Sequence, residues 1–407
     1  MRAALVAGSV LAAVVAAAAG GATASAQDAP EPYLRDLAFP TNMASAPDGR
    51  LFFTEKDTGR VRVVTPGGDL LPTPFAAYDV TNAGETGMLG IALDPDFPEQ
   101  PWVYLYLSEA ASGRNVLLRV RADGNVAGRE ERLLTLLPAS SGYHNGGDLA
   151  FGADGMLYVA VGEAHDPARA QDPSDPGGAI LRVAPDGSVP PDNPFGGDSL
   201  AYTIGNRNSF GLCVDPATGD VWETENGPDR DDEVNLLRPG ANLGWPEATG
   251  DSGGRFADPV AVFHETEALT GCAVWRGRLW FGAAKTGRLY RMTLDPAGAE
   301  PVVAASFDAG VIDVTVSPSD DLFVATSDAI WRIEAGPDAT ASATPSVPGE
   351  TPPADPTPTA PAAETTDGDE GGDGWIVWVA AAALAAALAV RLVAGRRLGA
   401  GRHDEAP

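Results

Sequence analysis

The chain has 407 residues and a formal net charge of −29, with 56 Asp and Glu against 27 Lys and Arg. A surface this acidic repels phosphate backbones, which excludes nucleic acid as a partner and makes carboxylate-rich turns candidate ligands for Ca²⁺. Both ends read as targeting or anchoring segments, which leaves about 300 residues for a core, enough for one large all-β domain.

In chain order, Arg2 precedes an Ala/Val/Leu run closed by Ala24, Ser25 and Ala26, the small residues that signal peptidase needs. Residues 1–26 therefore read as a signal peptide, with an uncleaved anchor as the alternative. Between residues 44 and 335 one pattern recurs six times. A short apolar strand meets a turn rich in Pro, Asp and Gly, then an alternating strand, a polar gap and a further strand that often carries Arg. Copies such as "SAPDGRLFFTEKDTGRVRVV", "CVDPATGDVWETENG" and "AVWRGRLWFGAAKTGRLYRMTLD" place their turns near residues 48, 95, 154, 218, 277 and 320. Several short strands per unit, at a spacing of roughly 40 to 65 residues, predict the blades of a propeller rather than a sandwich. Residues 27–336 are thus expected to form an all-β, six-bladed β-propeller. The polar stretches 164–178 and 190–198 read as loops carried on that scaffold.

Cys213 and Cys272 fall in what read as the innermost strands of adjacent units, where opposite parity can point them at each other. A disulfide and two separately buried thiols are both open, and the propeller pattern favours the disulfide. Residues 337–374 have no aromatic residue and are dominated by Pro, Thr, Ala and acids, so they read as a disordered linker or stalk. At about 3 Å per residue such a stalk could reach ~100 Å. The apolar run that follows matches the span of a bilayer core, so residues 375–395 read as a transmembrane helix with Arg391 snorkelling to the headgroups. Arg396, Arg397 and Arg402 after the run, against Asp367, Asp369, Glu370 and Asp373 before it, place the tail 396–407 in the cytoplasm. The expected location is the cell membrane, crossed once, with the propeller on the extracytoplasmic side and membrane contact through this helix only.

The densest motif block is "YTIGNRNSFGLCVDPATGDVWETENGPDRDDEVNLLRPGANLGWP", residues 202–246. Together with "HNGGDLAFGADGMLYVAVGE", "AQDPSDPGGAILRVAPDGSVPPDNPF" and "GMLGIALDPDF", it resembles the soluble pyrroloquinoline quinone (PQQ)-dependent glucose/sorbosone and aldose sugar dehydrogenases over about residues 31–335. The resemblance implies a propeller that binds PQQ and Ca²⁺ on one face and oxidises an aldose to its lactone. A sugar is then the substrate partner, and a respiratory carrier is a candidate electron acceptor. His144 corresponds to the family's general base, a role suited to a neutral imidazole near pH 7. Arg207 and Asn208 correspond to a cofactor-binding pair, in which a guanidinium can grip the carboxylates of PQQ. Lys285, one of only two lysines, corresponds to a further cofactor contact. The carbonyls of Gly227 and Pro228 correspond to ligands of the Ca²⁺ that polarises the quinone. Glu233 and the carbonyl of Leu243 match a second, structural Ca²⁺ site. His165 and His264 match nothing in the family.

The departures fall in the cofactor pocket. Where the family usually carries two arginines in an Arg-x-Arg-Asp-Val run, this chain has "GVIDV", with Gly310 and Ile312 at those positions. Glu85 stands in place of a Gln, and Glu163 in place of an Asp. Losing charge-assisted hydrogen bonds of about 1.5–3 kcal/mol each predicts PQQ binding weaker by about 10²-fold or more. The alternative reading is a non-catalytic surface propeller that binds carbohydrate or protein after losing tight PQQ binding.

Overall fold

The apolar runs of the six repeats become strands that are buried on both faces, because each blade packs against a neighbour on either side. This is seen in a computed structural model that describes residues 29–335. Blade one holds β2 (Pro40–Ser45), β3 (Leu51–Glu55), β4 (Arg60–Val64) and β5 (Ala76–Ala77). Blade two holds β6 (Met88–Leu93), β7 (Trp102–Glu109), β8 (Arg114–Asp123) and β9 (Val126–Pro138). Blade three is β10 (Leu149–Phe151), β11 (Leu157–Val161), β12 (Ala179–Val183) and β13 (Ala201–Ile204). Blade four is β14 (Ser209–Val214), β15 (Val221–Glu225), β16 (Asp232–Leu236) and β17 (Ala261–Phe263). Blade five is β18 (Leu269–Trp275), β19 (Arg278–Ala283), β20 (Arg288–Thr293) and β21 (Val302–Ser306). Blade six combines β22 (Val311–Val316), β23 (Leu322–Thr326) and β24 (Ile330–Ile333) with β1 (Glu31–Leu34) from the other end of the described chain.

All pairings within the six four-stranded sheets are antiparallel, and the expected six-bladed β-propeller is what forms. Six apolar clusters fill the six spaces between neighbouring blades. Phe52, Val61 and Val63 of blade one meet Ile91, Val103 and Leu105 of blade two, and Trp280 and Leu289 of blade five meet Val314 and Val324 of blade six. Helix is confined, among the described residues, to short 3₁₀ turns, and no helix there is long and apolar enough to cross a membrane. The expected signal peptide, linker, transmembrane helix and tail lie outside the described residues.

Five of the six innermost strands shift register near their N-terminal ends, at Pro40/Met43, Met88/Gly90, Ser209/Gly211, Leu269/Cys272 and Val311/Asp313. A bulge frees backbone groups and re-aims side chains. Here the freed N–H groups are taken up by acidic and amide side chains across the central channel. Met43 donates to Asp313 Oδ2 (2.7 Å), Leu212 to Asp148 Oδ2 (2.7 Å) and Ile91 to Asn42 Oδ1 (2.8 Å), while Asn42 Nδ2 donates to Asp148 Oδ1 (2.9 Å). Cys213 of β14 and Cys272 of β18 form a disulfide between blades four and five, with Cα atoms 5.6 Å apart. It lines a channel cavity of about 300 Å³ among the innermost strands of blades one, three, four, five and six, whose lining includes neither His144 nor Arg207.

Candidate functional site

The second strand of each blade ends, and the innermost strand begins, on the same face of the ring. That face collects the sequence motifs. His144 sits in the loop before β10 with φ of +54°, buried to 3 % exposure. The two glycines after it explain the "HNGG" pattern. Gly146 and Gly147 have φ of +62° and +126°, and a Cβ on either would lie 2.6 Å from the Ala160 carbonyl or 2.7 Å from Leu89 Cβ. The loop can therefore fold down onto β11 and hold the histidine over the channel mouth. Asn145 anchors it from below, accepting from Asn115 Nδ2 (2.9 Å) through Oδ1 and from the Tyr106 hydroxyl (2.9 Å) through its carbonyl.

Glu163, just beyond β11, meets His144 Nδ1 through Oε1 at 2.7 Å, with both side chains buried. A carboxylate on Nδ1 fixes the tautomer that leaves Nε2 to accept a proton. Glu85 Oε2 accepts from the His144 backbone N–H (2.8 Å) and from Asn208 Nδ2 (3.1 Å), so the residue that departs from the family pattern ties blade two to blades three and four. Asn208 Oδ1 is buried with no partner. His165 stacks on the His144 ring. His264, exposed, pairs through Nδ1 with the buried Asp231 (2.8 Å), away from this cluster.

Arg207 turns the other way. Its guanidinium donates to the carbonyls of Asn226 (3.2 Å) and Gly227 (3.0 Å) and lies over the Trp245 ring, while its backbone N–H donates to Glu225. Gly227 is obligatory, since a Cβ there would stand 2.0 Å from the Arg230 carbonyl. Arg207, Gly227, Glu233 and Leu243 line one small cavity with Glu225 and Trp245, so four sequence-predicted residues are brought together. Pro228 follows Gly227 on the same loop, half-buried. Lys285 stands exposed beyond β19 in blade five, where its charge bears on the buried Asp232.

Carboxyl groups in and behind this cavity are buried beside one another. Burial pushes Glu223 up to about 8 and Glu233 up to about 7, and raises Glu225 well above the carboxylate range, with the neighbouring carboxylates adding to the rise. Asp232, which accepts from Gly227, Glu267 and Ala268 N–H groups, is pushed up to about 6 by the same burial. Among the described residues no group of three or more His, Cys, Asp or Glu is arranged as a metal cluster, and the oxygen donors that line the cavity are those of Gly227, Leu243, Glu225, Asp231 and Glu233. An all-oxygen set of that kind fits Ca²⁺.

For an anionic quinone the donors fit on one side only. Arg207, Asn208 and Lys285 are present, but Gly310 packs against the Ala284 carbonyl, where a Cβ would stand at 2.4 Å, and Ile312 supplies no charge. Glu225, Asp232 and the channel acids Asp148 and Asp313 escaped the sequence reading, because single acids in an acid-rich chain carry no contrast. Asp148 could have been found, since it follows "HNGG" directly.

A six-bladed ring with a buried histidine–carboxylate pair beside a carboxylate-lined cavity on one face defines a β-propeller whose site sits at one end of the ring. The chain belongs to the Glucose / Sorbosone dehydrogenase family, whose sequence model matches residues 37–333. It is 30 % identical over 269 residues to quinoprotein glucose dehydrogenase B of Acinetobacter calcoaceticus, a match covering 57 % of this chain and 56 % of that protein. It is 27 % identical over 326 residues to aldose sugar dehydrogenase YliI of Escherichia coli, covering 72 % and 88 %. Among solved structures, the PQQ-bound aldose sugar dehydrogenase of Streptomyces coelicolor superposes with a TM-score of 0.68 at 33 % identity, covering 74 % of this chain and 95 % of that one.

Proposed function

We propose that the protein oxidises an aldose to its lactone with PQQ and Ca²⁺, outside the membrane, on the face that carries His144. The observation that carries the reading is the buried His144–Glu163 pair (2.7 Å), held beside Arg207 and Asn208 in a chain of this family. In this reading His144 Nε2 takes the proton of the anomeric hydroxyl as the C1 hydride leaves, and Glu163 stabilises the imidazolium that forms. Bound PQQ supplies the two-electron acceptor. Asn208, with its free Oδ1, and Lys285 hold and orient it, and Arg207 joins them by turning its guanidinium from the Asn226 and Gly227 carbonyls to which it donates. Glu233, the Leu243 carbonyl and the Gly227–Pro228 loop supply oxygens to Ca²⁺. The remaining parts of the proposal are an exported, singly anchored chain (signal peptide 1–26, stalk 337–374, transmembrane helix 375–395, tail 396–407) and a respiratory carrier as electron acceptor. They rest on the sequence pattern of the two ends.

A calorimetric titration of PQQ into the full chain, with and without Ca²⁺, followed by dye reduction with a panel of aldoses, tests the reading. Ca²⁺-dependent binding, with a turnover that His144→Ala abolishes while the domain stays folded, is the expected result. Absence of PQQ binding at saturating concentration would instead favour the surface-binding propeller, the reading to which Gly310, Ile312 and Glu85 lend weight.

A further inference from the structure

Glu163 fixes one edge of the His144 imidazole and Glu85 holds its backbone, but neither fixes the tilt of the ring about the Nδ1 contact. The face of the ring is covered by His165. Its imidazole lies nearly parallel, with centroids 4.2 Å apart and 17° between the planes. Tyr143 meets His165 edge-on at 5.8 Å. The backbone adopts an unfavourable conformation to put the ring there: Ala164 and His165 are consecutive residues with φ of +56° and +61°, in the left-handed region that residues other than glycine mostly avoid.

The turn that carries His165 is tied to both members of the pair beneath it. The Ala164 N–H donates to the His144 carbonyl (3.1 Å), and the Asp166 N–H donates to the Glu163 side chain (2.9 Å). Strained backbone persists where surrounding contacts over-determine it, and such places cluster at functional sites. His165 is itself exposed, so the stack does not serve to bury His165. It covers His144.

We infer that His165 is a positioning residue for His144, an inference that rests on the reading of His144 as the base. The stacked ring sets the tilt that Glu163 leaves free, and it lays a π face against the imidazolium that His144 becomes on taking a proton. Misplacing a reacting group by a fraction of an ångström lowers the rate of the chemical step more than it weakens substrate binding.

The test separates the stack from the activity. The full chain has only 4 histidines, so histidine-selective labelling gives a spectrum in which the His144 ring signal is assigned by its absence in His144→Ala. His165→Asn removes the ring but keeps a residue type that tolerates left-handed backbone, and His165→Phe keeps a flat ring. The His144 Cε1–H resonance should move downfield in His165→Asn and stay near its original position in His165→Phe. With PQQ, Ca²⁺ and an aldose, kcat should fall about tenfold in His165→Asn at little-changed KM, and be retained in His165→Phe. A His144 signal that does not move in His165→Asn, or equal losses of kcat in both variants, would overturn the assignment. A parent chain that oxidises no aldose defeats the proposed function and the positioning role with it, whereas an active parent whose His165→Asn variant keeps its kcat defeats the positioning role alone.

Discussion

At position 85 a carboxylate accepts from the amides of His144 and Asn208 through one oxygen, Oε2. A glutamine can offer the same two acceptor bonds without the charge, so the substitution isolates electrostatics from geometry. Glu85→Gln should tighten PQQ binding by about tenfold, the equivalent of about 1.4 kcal/mol, with the fold and melting temperature unchanged. Calorimetric titration of both chains reads this directly, and equal affinities would show that the Glu85 charge lies outside the field of the ligand. The same residue shows what the sequence makes legible at this scale. His144, Asn208, Glu85 and Glu163 stand in motifs whose spacing survives, and the structure brings all of them into one cluster. Glu225 and Asp232 do not stand out in a chain with 56 acids, and only the fold reveals that they are buried.

Strands were legible in proportion to their burial. The second strands are buried over most of their length, and Leu51–Glu55 and Leu157–Val161 at every position, so they appear in the sequence as compact apolar runs between turn residues. The outermost strands have one neighbour and a solvated face. Ala76–Ala77 is two residues long, and Val126–Pro138 is mostly exposed or half-exposed, with an apolar signal only in its last residues around the buried Leu136 and Leu137. β1 was illegible for another reason, since its partner β24 lies at the far end of the propeller. The innermost strands carry the disulfide, which closes a loop of 59 residues between β14 and β18. Restricting the unfolded chain over such a loop is worth about 4 kcal/mol in the chain-entropy account. Replacing both cysteines by serine should lower the unfolding free energy by up to about that amount and leave the His144 cluster intact, because the sulfurs lie along the channel away from it. Denaturant titration of the two chains measures the difference. A loss below about 0.5 kcal/mol would mean that the unfolded chain already keeps these two segments close without the bond.

The ring closes on itself because β1 pairs with β24, Glu31 against Arg332 and Leu34 against Ile330, and every blade is then packed on both sides. Its centre is held by acids. Asp148 of blade three accepts N–H groups from Leu149, Leu212 and the Asn42 side chain, and Asp313 of blade six accepts from Met43. Burial pushes Asp148 up to about 6, and burial together with the charge of Asp148 raises Asp313 well above the carboxylate range. Both folded-state values exceed those of the unfolded chain, so the folded ring keeps protons that the unfolded chain has released. For a carboxyl with that ordering, stability is highest below its unfolded value and is lost as pH rises through the folded one. The melting temperature should therefore fall as pH rises from about 4 to about 6 at fixed ionic strength and Ca²⁺, beyond what the net surface charge produces. Asp313→Asn removes the carboxyl that Asp148 opposes, while its amide oxygen can still accept from Met43, so its melting temperature should fall less steeply over the same range. Calorimetric scans of the two chains give the difference in slope, which cancels the surface contribution common to both. Identical slopes would place the pH dependence outside the channel and leave the two acids serving only as acceptors for the bulged strands.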